Sequence, residues 1–363
     1  MRASRFVLAV LGLAAVLVLD GCGGSPVGAP VGAIGTRGSP MTGQGFTLEE
    51  YPLDSQKLQI PYDVVFDAHD RLWLNSFYPY LGVMRHNGHF AARAFQIKRN
   101  NYGYESAHLM AVGPDHNLWF TDYYGKMVGR VDSSGNIEQF QPFTNYAFTA
   151  GIVTARKHLW VVMAGSYHAS LVELDTKPHV VKAIALPGNY CYPGPITVDA
   201  TGTFWIGNSA NCPKITRVTP DDRVTDFPIV AADGVWKIVS GPDGNVWFAA
   251  SYAPAINPYI GKITPQGNIT VYPVSDQVDG IALGPDGNWW LTMPFMGRIA
   301  TMSLGGQILA EYDLPNAIKH SQMRFQDTTI ILGPDGNLWF AEPSRNKIGE
   351  LRFQRRRFDR SSE

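Results

Sequence analysis

Residues 333–342 read Gly333-Pro334-Asp335-Gly336-Asn337-Leu338-Trp339-Phe340-Ala341-Glu342, and this stretch recurs. Near copies begin at Gly113, Gly241 and Gly284, and weaker ones lead up to Trp73, Trp160 and Trp205. One tryptophan from each copy gives Trp73, Trp119, Trp160, Trp205, Trp247, Trp290 and Trp339, spaced 46, 41, 45, 42, 43 and 49 residues apart. A period in the low forties, with a turn before an aromatic strand each time, marks radial β repeats rather than helical solenoids.

Each part of the unit has a physical reason. Pro-Asp-Gly-Asn supplies a proline that presets φ, an aspartate that bonds back to the backbone and a glycine free to take positive φ, so the chain reverses. Apolar runs flank the turn, such as Ile281-Ala282-Leu283 before it and Leu338-Trp339-Phe340 after it, and both are rich in strand formers. Segments such as Lys347 to Leu351 and Ile269 to Val274 supply a third and a fourth strand. A buried tryptophan removes about 150 to 250 Å² from water, worth on the order of 5 kcal/mol as an upper bound. The expected fold is all-β: a seven-bladed β-propeller with four-stranded blades, over residues 46–353.

The ends of the chain read differently. Met1-Arg2-Ala3-Ser4-Arg5 precedes an apolar run from Phe6 to Leu19, broken by Asp20-Gly21-Cys22. The run is short for a bilayer span, and its basic front fits an export signal over residues 1–21. Leu19-Asp20-Gly21-Cys22 resembles a bacterial lipobox, with Asp20 unusual inside it, so Cys22 is the expected lipidation site of an envelope lipoprotein. A plain secretory signal or an uncleaved anchor is the alternative. Residues 22–45 are rich in Gly, Pro, Ser and Ala and read as a flexible tether.

Removing the first 21 residues takes Arg2, Arg5 and Asp20 from 30 basic and 31 acidic side chains, leaving 28 against 30 and a formal charge of −2. No basic field points to nucleic acid. Thr47 to Leu53 has the form of a fourth strand, and the last repeat lacks one after Lys347 to Leu351, so the N-terminal strand is expected to complete the last blade and protect its edge. The tail 354–363 is basic and reads as a solvated end, with contact to lipid or phosphate as the alternative. Cys191 and Cys212 flank the Trp205 strand, in loops expected on one face. A disulfide there suits an oxidising compartment, two free thiols being the other reading.

The succession Gly-Pro-Asp-Gly-Asn-Leu-Trp-Phe-Ala-Glu, then Lys-Ile-Gly, then Ile-Thr-Pro-Gln-Gly-Asn-Ile-Thr-Val-Tyr-Pro resembles the virginiamycin B lyase family, the streptogramin lyases. The resemblance runs from about Thr47 to Leu351. It implies a seven-bladed propeller and a Mg²⁺-assisted elimination that opens a cyclic depsipeptide by breaking an ester C–O bond. Such chemistry needs a base for the α proton, an acid for the leaving carboxylate and a cation for the enolate charge. In the family these come from a histidine opening the first strand of one blade, then Glu-x-His in the next, with a further Glu fourteen residues on.

In this chain the histidine register, eleven residues before each tryptophan, holds Tyr62, His108, Thr149, Gly194, Trp236, Asp279 and Thr328. The glutamate register, three residues after it, holds Ser76, Asp122, Met163, Asn208, Ala250, Met293 and Glu342. The family's full set is absent. His108 and Asp122 keep the spacing of fourteen, but Ser106 stands two before His108, with Glu105 beside it. A closed ring would make the blades of Tyr62, His108, Asp122 and Glu342 neighbours. The resemblance then implies His108 as base, Tyr62 beside it, and Asp122 and Glu342 on Mg²⁺. The bland readings are a channel histidine bonded to Asp122 and a Glu342 salt bridge to Arg345 or Lys347.

Other signals are weaker. His86-Asn87-Gly88-His89 sets two histidines across a tight turn, a spacing open to a metal or to nothing. Phe77 to Tyr80, Tyr123-Tyr124 and Tyr252 with Tyr259 read as aromatic loops on the His108 face. A lactonase-like metal site from Asp122, Asn208, Asp279 and Glu342 would need carboxylates from blades set far apart. There is no Gly-x-Ser-x-Gly elbow, His-Glu-x-x-His, phosphate loop or Cys-x-x-Cys, which argues against common hydrolase and nucleotide chemistries. The expectation is a monomeric, envelope-anchored binding propeller, taking a small molecule, glycan or protein at its funnel. The alternative is a virginiamycin B lyase-type C–O lyase.

Overall fold

The computed structural model describes residues 45–53, 57–85, 93–97, 107–122, 126–143, 148–165, 168–188, 191–210, 212–229, 232–251, 258–315 and 329–354. The chain divides into two compact units, Met1–Ile34 and Gly35–Glu363, and every described residue belongs to the second. The export and tether segments, Cys22, His86 and His89, Glu105 and Ser106, Tyr123 and Tyr124, Tyr252, Thr328 and the tail from 355 lie outside the described residues.

The second unit is built of antiparallel sheets, each a run of consecutive strands except the last, which also takes in the first strand. After an opening strand β1 (Phe46–Pro52) come β2 (Val64–Phe66), β3 (Arg71–Asn75), β4 (Tyr80–Arg85) and β5 (Arg93–Gln96) in one sheet. The next holds β6 (Ala107–Val112), β7 (Leu118–Asp122), β8 (Met127–Val131) and β9 (Ile137–Phe140). Then follow β10 (Phe148–Ala155), β11 (His158–Ala164), β12 (Ala169–Leu174) and β13 (Val180–Leu186). Two groups are joined into one larger sheet by a single Ser209 to Gly234 pairing. They are β14 (Cys191–Val198), β15 (Phe204–Ala210), β16 (Lys214–Val218) and β17 (Val224–Pro228), and β18 (Gly234–Ser240), β19 (Val246–Ser251), β20 (Tyr259–Ile263) and β21 (Ile269–Pro273). The remaining strands are β22 (Gly280–Leu283), β23 (Trp289–Met293), β24 (Arg298–Met302) and β25 (Ile308–Asp313), then β26 (Ile330–Leu332), β27 (Leu338–Glu342) and β28 (Lys347–Phe353). In the last sheet β1 lies antiparallel to β28, with Leu48 opposite Leu351 and Tyr51 opposite Ile348.

The first strand of each group packs beside the first strand of the next, β26 beside β2 included. Apolar clusters fill the space between neighbouring sheets. One joins Trp247, Ala249 and Ile260 to Val278, Ile281 and Trp289, and another joins Trp339, Ala341 and Ile348 to Leu53, Leu58, Val64 and Leu72. All seven repeat tryptophans are at most 1% exposed. The sequence therefore places its largest apolar surfaces in seams between sheets, where their burial ties one repeat to the next.

Two features of the repeat have causes that the sequence pattern does not display. The turn aspartate reaches forward to its own tryptophan as well as to the backbone. The indole N–H of Trp119 donates to Asp115 at 2.9 Å, that of Trp290 to Asp286 at 3.0 Å, and those of Trp73 and Trp205 to Asp67 and Asp199 at 2.7 and 2.8 Å. The buried indole is thus satisfied locally. The exception is Trp160, which donates to the Ala155 carbonyl at 3.2 Å. The glycine of Lys347-Ile348-Gly349, like that of Tyr259-Ile260-Gly261, makes room for the phenylalanine after the tryptophan. A Cβ on Gly349 would lie 2.1 Å from the Phe340 ring, and one on Gly261 2.1 Å from that of Phe248. Tyr259, expected in a loop, instead opens β20 and is buried, because it packs edge-on against Phe248 in the seam.

Candidate functional site

The candidate site lies where the first strands begin, and the local backbone there is irregular. β6, β10, β14 and β18 each slip register against their partner strands, between Ala107 and Met110, Thr149 and Ile152, Pro193 and Ile196, and Val235 and Lys237. Such bulges leave residues without a cross-strand partner and re-aim their side chains. The histidine register falls on them: His108, Gly194 and Trp236 all lie inside a bulge.

Among the sequence-predicted residues, Tyr62 and His108 are brought together. The Tyr62 hydroxyl donates to the carbonyl of Ala107. Asn75, fully buried, donates through Nδ2 to the carbonyls of Ala107 and His108, both at 2.9 Å. Its Oδ1 accepts the backbone N–H of Asp63 at 2.7 Å. Tyr62 and Asn75 thus fix the backbone from which the half-buried His108 projects. Asp122 ends β7 and is buried, and its backbone carbonyl accepts the Thr149 hydroxyl at 2.6 Å.

Glu342 belongs to a different constellation. Its Oε2 accepts Arg345 Nη1 at 2.8 Å, and Oε1 is buried with no hydrogen-bond partner. Arg345 also holds Glu50 of β1, whose Oε2 accepts Lys347 Nζ at 2.8 Å. Burial pushes the Glu342 carboxyl up to about 7, against the opposing pull of Arg345. Glu50, less buried and bonded to two cations, sits below the usual carboxylate range despite its desolvation. The salt bridge to Arg345 ties Glu342 to Glu50 of β1 through the shared guanidinium.

Mg²⁺, which the resemblance implies, finds no ready-made cluster of ligands among the described residues. Among the described residues no three His, Cys, Asp or Glu side chains are grouped to share a metal ion. Of its two expected ligands, Glu342 already carries a guanidinium on one oxygen. Asn208, offered for a lactonase-like site, is buried and donates its Nδ2 to Thr216 at 3.1 Å, a bond that does not involve its ligating Oδ1. Asp279 accepts the Gln277 amide at 2.8 Å.

A second group, one register position further along, was missed. Ten residues before the tryptophans stand Asp63, Leu109, Ala150, Pro195, Lys237, Gly280 and Thr329. Lys237 Nζ donates to Thr329 Oγ1 at 3.2 Å, and Thr329 Oγ1 donates to Asp63 Oδ1 at 2.7 Å. Asp63 Oδ2 accepts the Met110 N–H at 2.9 Å. One chain of hydrogen bonds therefore links β18, the approach to β26, the approach to β2 and β6. Burial raises the Asp63 carboxyl, while the nearby Lys237 ammonium and the His108 imidazole pull it back down. The signal was available: opposite charges in one register of an otherwise apolar strand are costly unless they meet.

Cys191 opens β14 rather than preceding it, and its register partner is Ala210 of β15. Cys212, just beyond β15, is disulfide-bonded. Phe77 and Tyr78, after β3, are exposed large aromatics, as is Trp236 at 40%.

Residues 179–357 match the model of the virginiamycin B lyase family. A virginiamycin B lyase from Nocardia farcinica is 27% identical over 188 residues, which is 49% of this chain and 60% of that relative. The match thus spans about 60% of the relative's length. Among solved structures, a streptogramin B lyase superposes with a TM-score of 0.68 at 22% identity, covering 85% of this chain and 98% of its own. A catalytically inactive virginiamycin B lyase from Staphylococcus aureus, crystallised with quinupristin, gives 0.68 at 21% identity, over 85% and 99%. The extracellular domain of a hybrid two-component system from B. thetaiotaomicron gives 0.63 at 16% identity, over 82% and 39%. At these identities the solved structures speak for the fold. The repeat, the sheets and these relatives together show a β-propeller whose residues 179–357 are similar to the virginiamycin B lyase family.

Proposed function

We propose that the chain is a seven-bladed β-propeller, closed by β1, that binds a small molecule, glycan or protein partner at the mouth formed by its first strands. It is an exported lipoprotein, tethered to the membrane through Cys22 and residues 22–45, with Cys191 as the disulfide partner of Cys212. The observation that carries the binding reading is the Lys237, Thr329 and Asp63 chain. It sets a buried, satisfied carboxylate beneath a half-buried ammonium at the mouth, while the Glu342 carboxylate is engaged by Arg345. Elimination asks for the opposite: a base, an acid and a cation held ready for substrate alone.

The second reading is a Mg²⁺-dependent C–O lyase acting on a cyclic depsipeptide, with His108 as base. The family match over residues 179–357 favours it. A calorimetric titration of the full chain with Mg²⁺ separates the two. The binding reading expects no saturable heat at millimolar Mg²⁺. Stoichiometric binding, abolished by Asp122→Asn or Glu342→Gln, would replace it with the lyase. The mature N-terminal residue, read by mass spectrometry, tests the tether: a lipidated Cys22 supports it and an unmodified residue 1 removes it.

A further inference from the structure

We propose that the mouth is a site for a small organic anion, with Lys237 as the group that receives its carboxylate and Trp236 as the surface for its apolar body. This rests on the binding reading and gives it a ligand class.

The argument starts from the direction of the hydrogen bonds. Asp63 is 5% exposed, and each of its oxygens already accepts a hydrogen bond, one from the Thr329 hydroxyl and one from the Met110 N–H. Thr329, also 5% exposed, donates to Asp63 and accepts from Lys237. The negative end of the chain is thus buried and satisfied. Lys237 is only half-buried, and of its three N–H donors one goes to Thr329. Among the described residues its ammonium has no other hydrogen-bond or ion-pair partner. The accessible end of the chain is therefore the cation, held in place by the hydroxyl beneath it. An ammonium with two N–H groups in hand, on a rigid strand and partly desolvated, is a carboxylate receptor.

The surroundings agree in sign and in shape. His108, half-buried on the β6 bulge, lies close enough to act electrostatically on Asp63, so its imidazole belongs to the same mouth. Of the other carboxylates at this end of the strands, Asp122, Asp279 and Glu342 are buried at 3%, 5% and 4% exposure, and Asp233, just before β18, is half-buried. Trp236 occupies the bulge beside Lys237 and is 40% exposed, unlike the seven repeat tryptophans. An exposed indole adjoining a cation offers an apolar platform with its own orientation preference. Gly280 stands at the same register in the intervening repeat and presents no side chain there.

Ligand-observed NMR with phenylacetate and its neutral isostere phenylacetamide tests this on the full chain. Phenylacetate should bind, and phenylacetamide should bind at least tenfold more weakly. Lys237→Met should lose at least tenfold in phenylacetate affinity, and Lys237→Arg should restore most of it, with thermal unfolding reporting that both variants fold. Equal binding of acid and amide, wild-type affinity in a folded Lys237→Met variant, or no phenylacetate binding by the native chain would overturn the proposal. Because the acid and amide are compared on the native chain, the result does not depend on any variant folding. A negative result with no Mg²⁺ uptake rejects the anion alone, whereas Mg²⁺ uptake at Asp122 or Glu342 rejects the binding reading beneath it.

Discussion

Glu342 keeps the residue type that the lyase register asks for, yet its environment gives it a structural part. Its carboxyl titrates near 7 in the fold because burial disfavours the charge. In the unfolded chain an ordinary glutamate titrates near 4.3. The folded state therefore holds a proton that the unfolded state releases between those values, so stability falls as pH rises from about 4.5 to about 7. Glu342→Gln should remove that slope and leave the variant more stable than the parent above pH 7, by up to about 3 kcal/mol. Urea unfolding at pH 5 and pH 8 reads this directly. A glutamine variant that loses stability at pH 8 would mean that the pair with Arg345 outweighs the cost of burial. At this scale the sequence was a partial guide. It located His108, Asp122, Tyr62 and Glu342 in the repeat register, because register follows from periodicity alone. It did not reveal Asp63 or Lys237, which are 174 positions apart. Only the arrangement of the sheets brings those two together.

Among the elements, the turns and strand pairs carry most of what the pattern announced. Gly-Pro-Asp-Gly-Asn does mark a reversal between two strands in each strong copy. The bond from its aspartate to the tryptophan indole was not legible, since spacing shows proximity along the chain and not which donor needs an acceptor. The weak copy before Trp160 shows the cost of departing from the pattern. Its turn residues Arg156 and Lys157 both take left-handed φ, 52° and 65°, where glycine or asparagine is preferred. Arg156 lies over the Phe204 ring and is held for that reason. Lys157 is exposed, and Lys157→Gly should stabilise by about 1 kcal/mol, seen as a higher urea midpoint at unchanged slope. The Lys-Ile-Gly element makes the converse prediction. Gly349→Ala drives a methyl into the Phe340 ring across the strand pair and should cost about 2 to 3 kcal/mol in the same assay. A neutral result would mean that the ring moves aside freely.

For the molecule as a whole, the antiparallel pairing of β1 with β28 joins the first and last described strands. Arg345 ties Glu342 of β27 to Glu50 of β1, and Lys347 holds Glu50 from the other side. Arg345→Ala leaves the buried Glu342 carboxylate without its cation and should destabilise by about 3 kcal/mol at pH 8. The loss should be smaller at pH 5, where Glu342 is protonated; an equal loss at both values would show that Glu342 takes no part. The fold was legible at this scale because seven tryptophans in a steady period leave few architectures that bury them all. Function was less so, because shared scaffolds host different chemistries and the site must be judged by its own residues. The claim that matters most is that this propeller binds at its mouth without breaking an ester. Incubating the full chain with quinupristin and Mg²⁺, and following the antibiotic by chromatography and mass spectrometry, tests it most directly. The antibiotic is predicted to be recovered with its ring closed. A ring opened at unchanged mass, and no longer opened by His108→Ala, would contradict it.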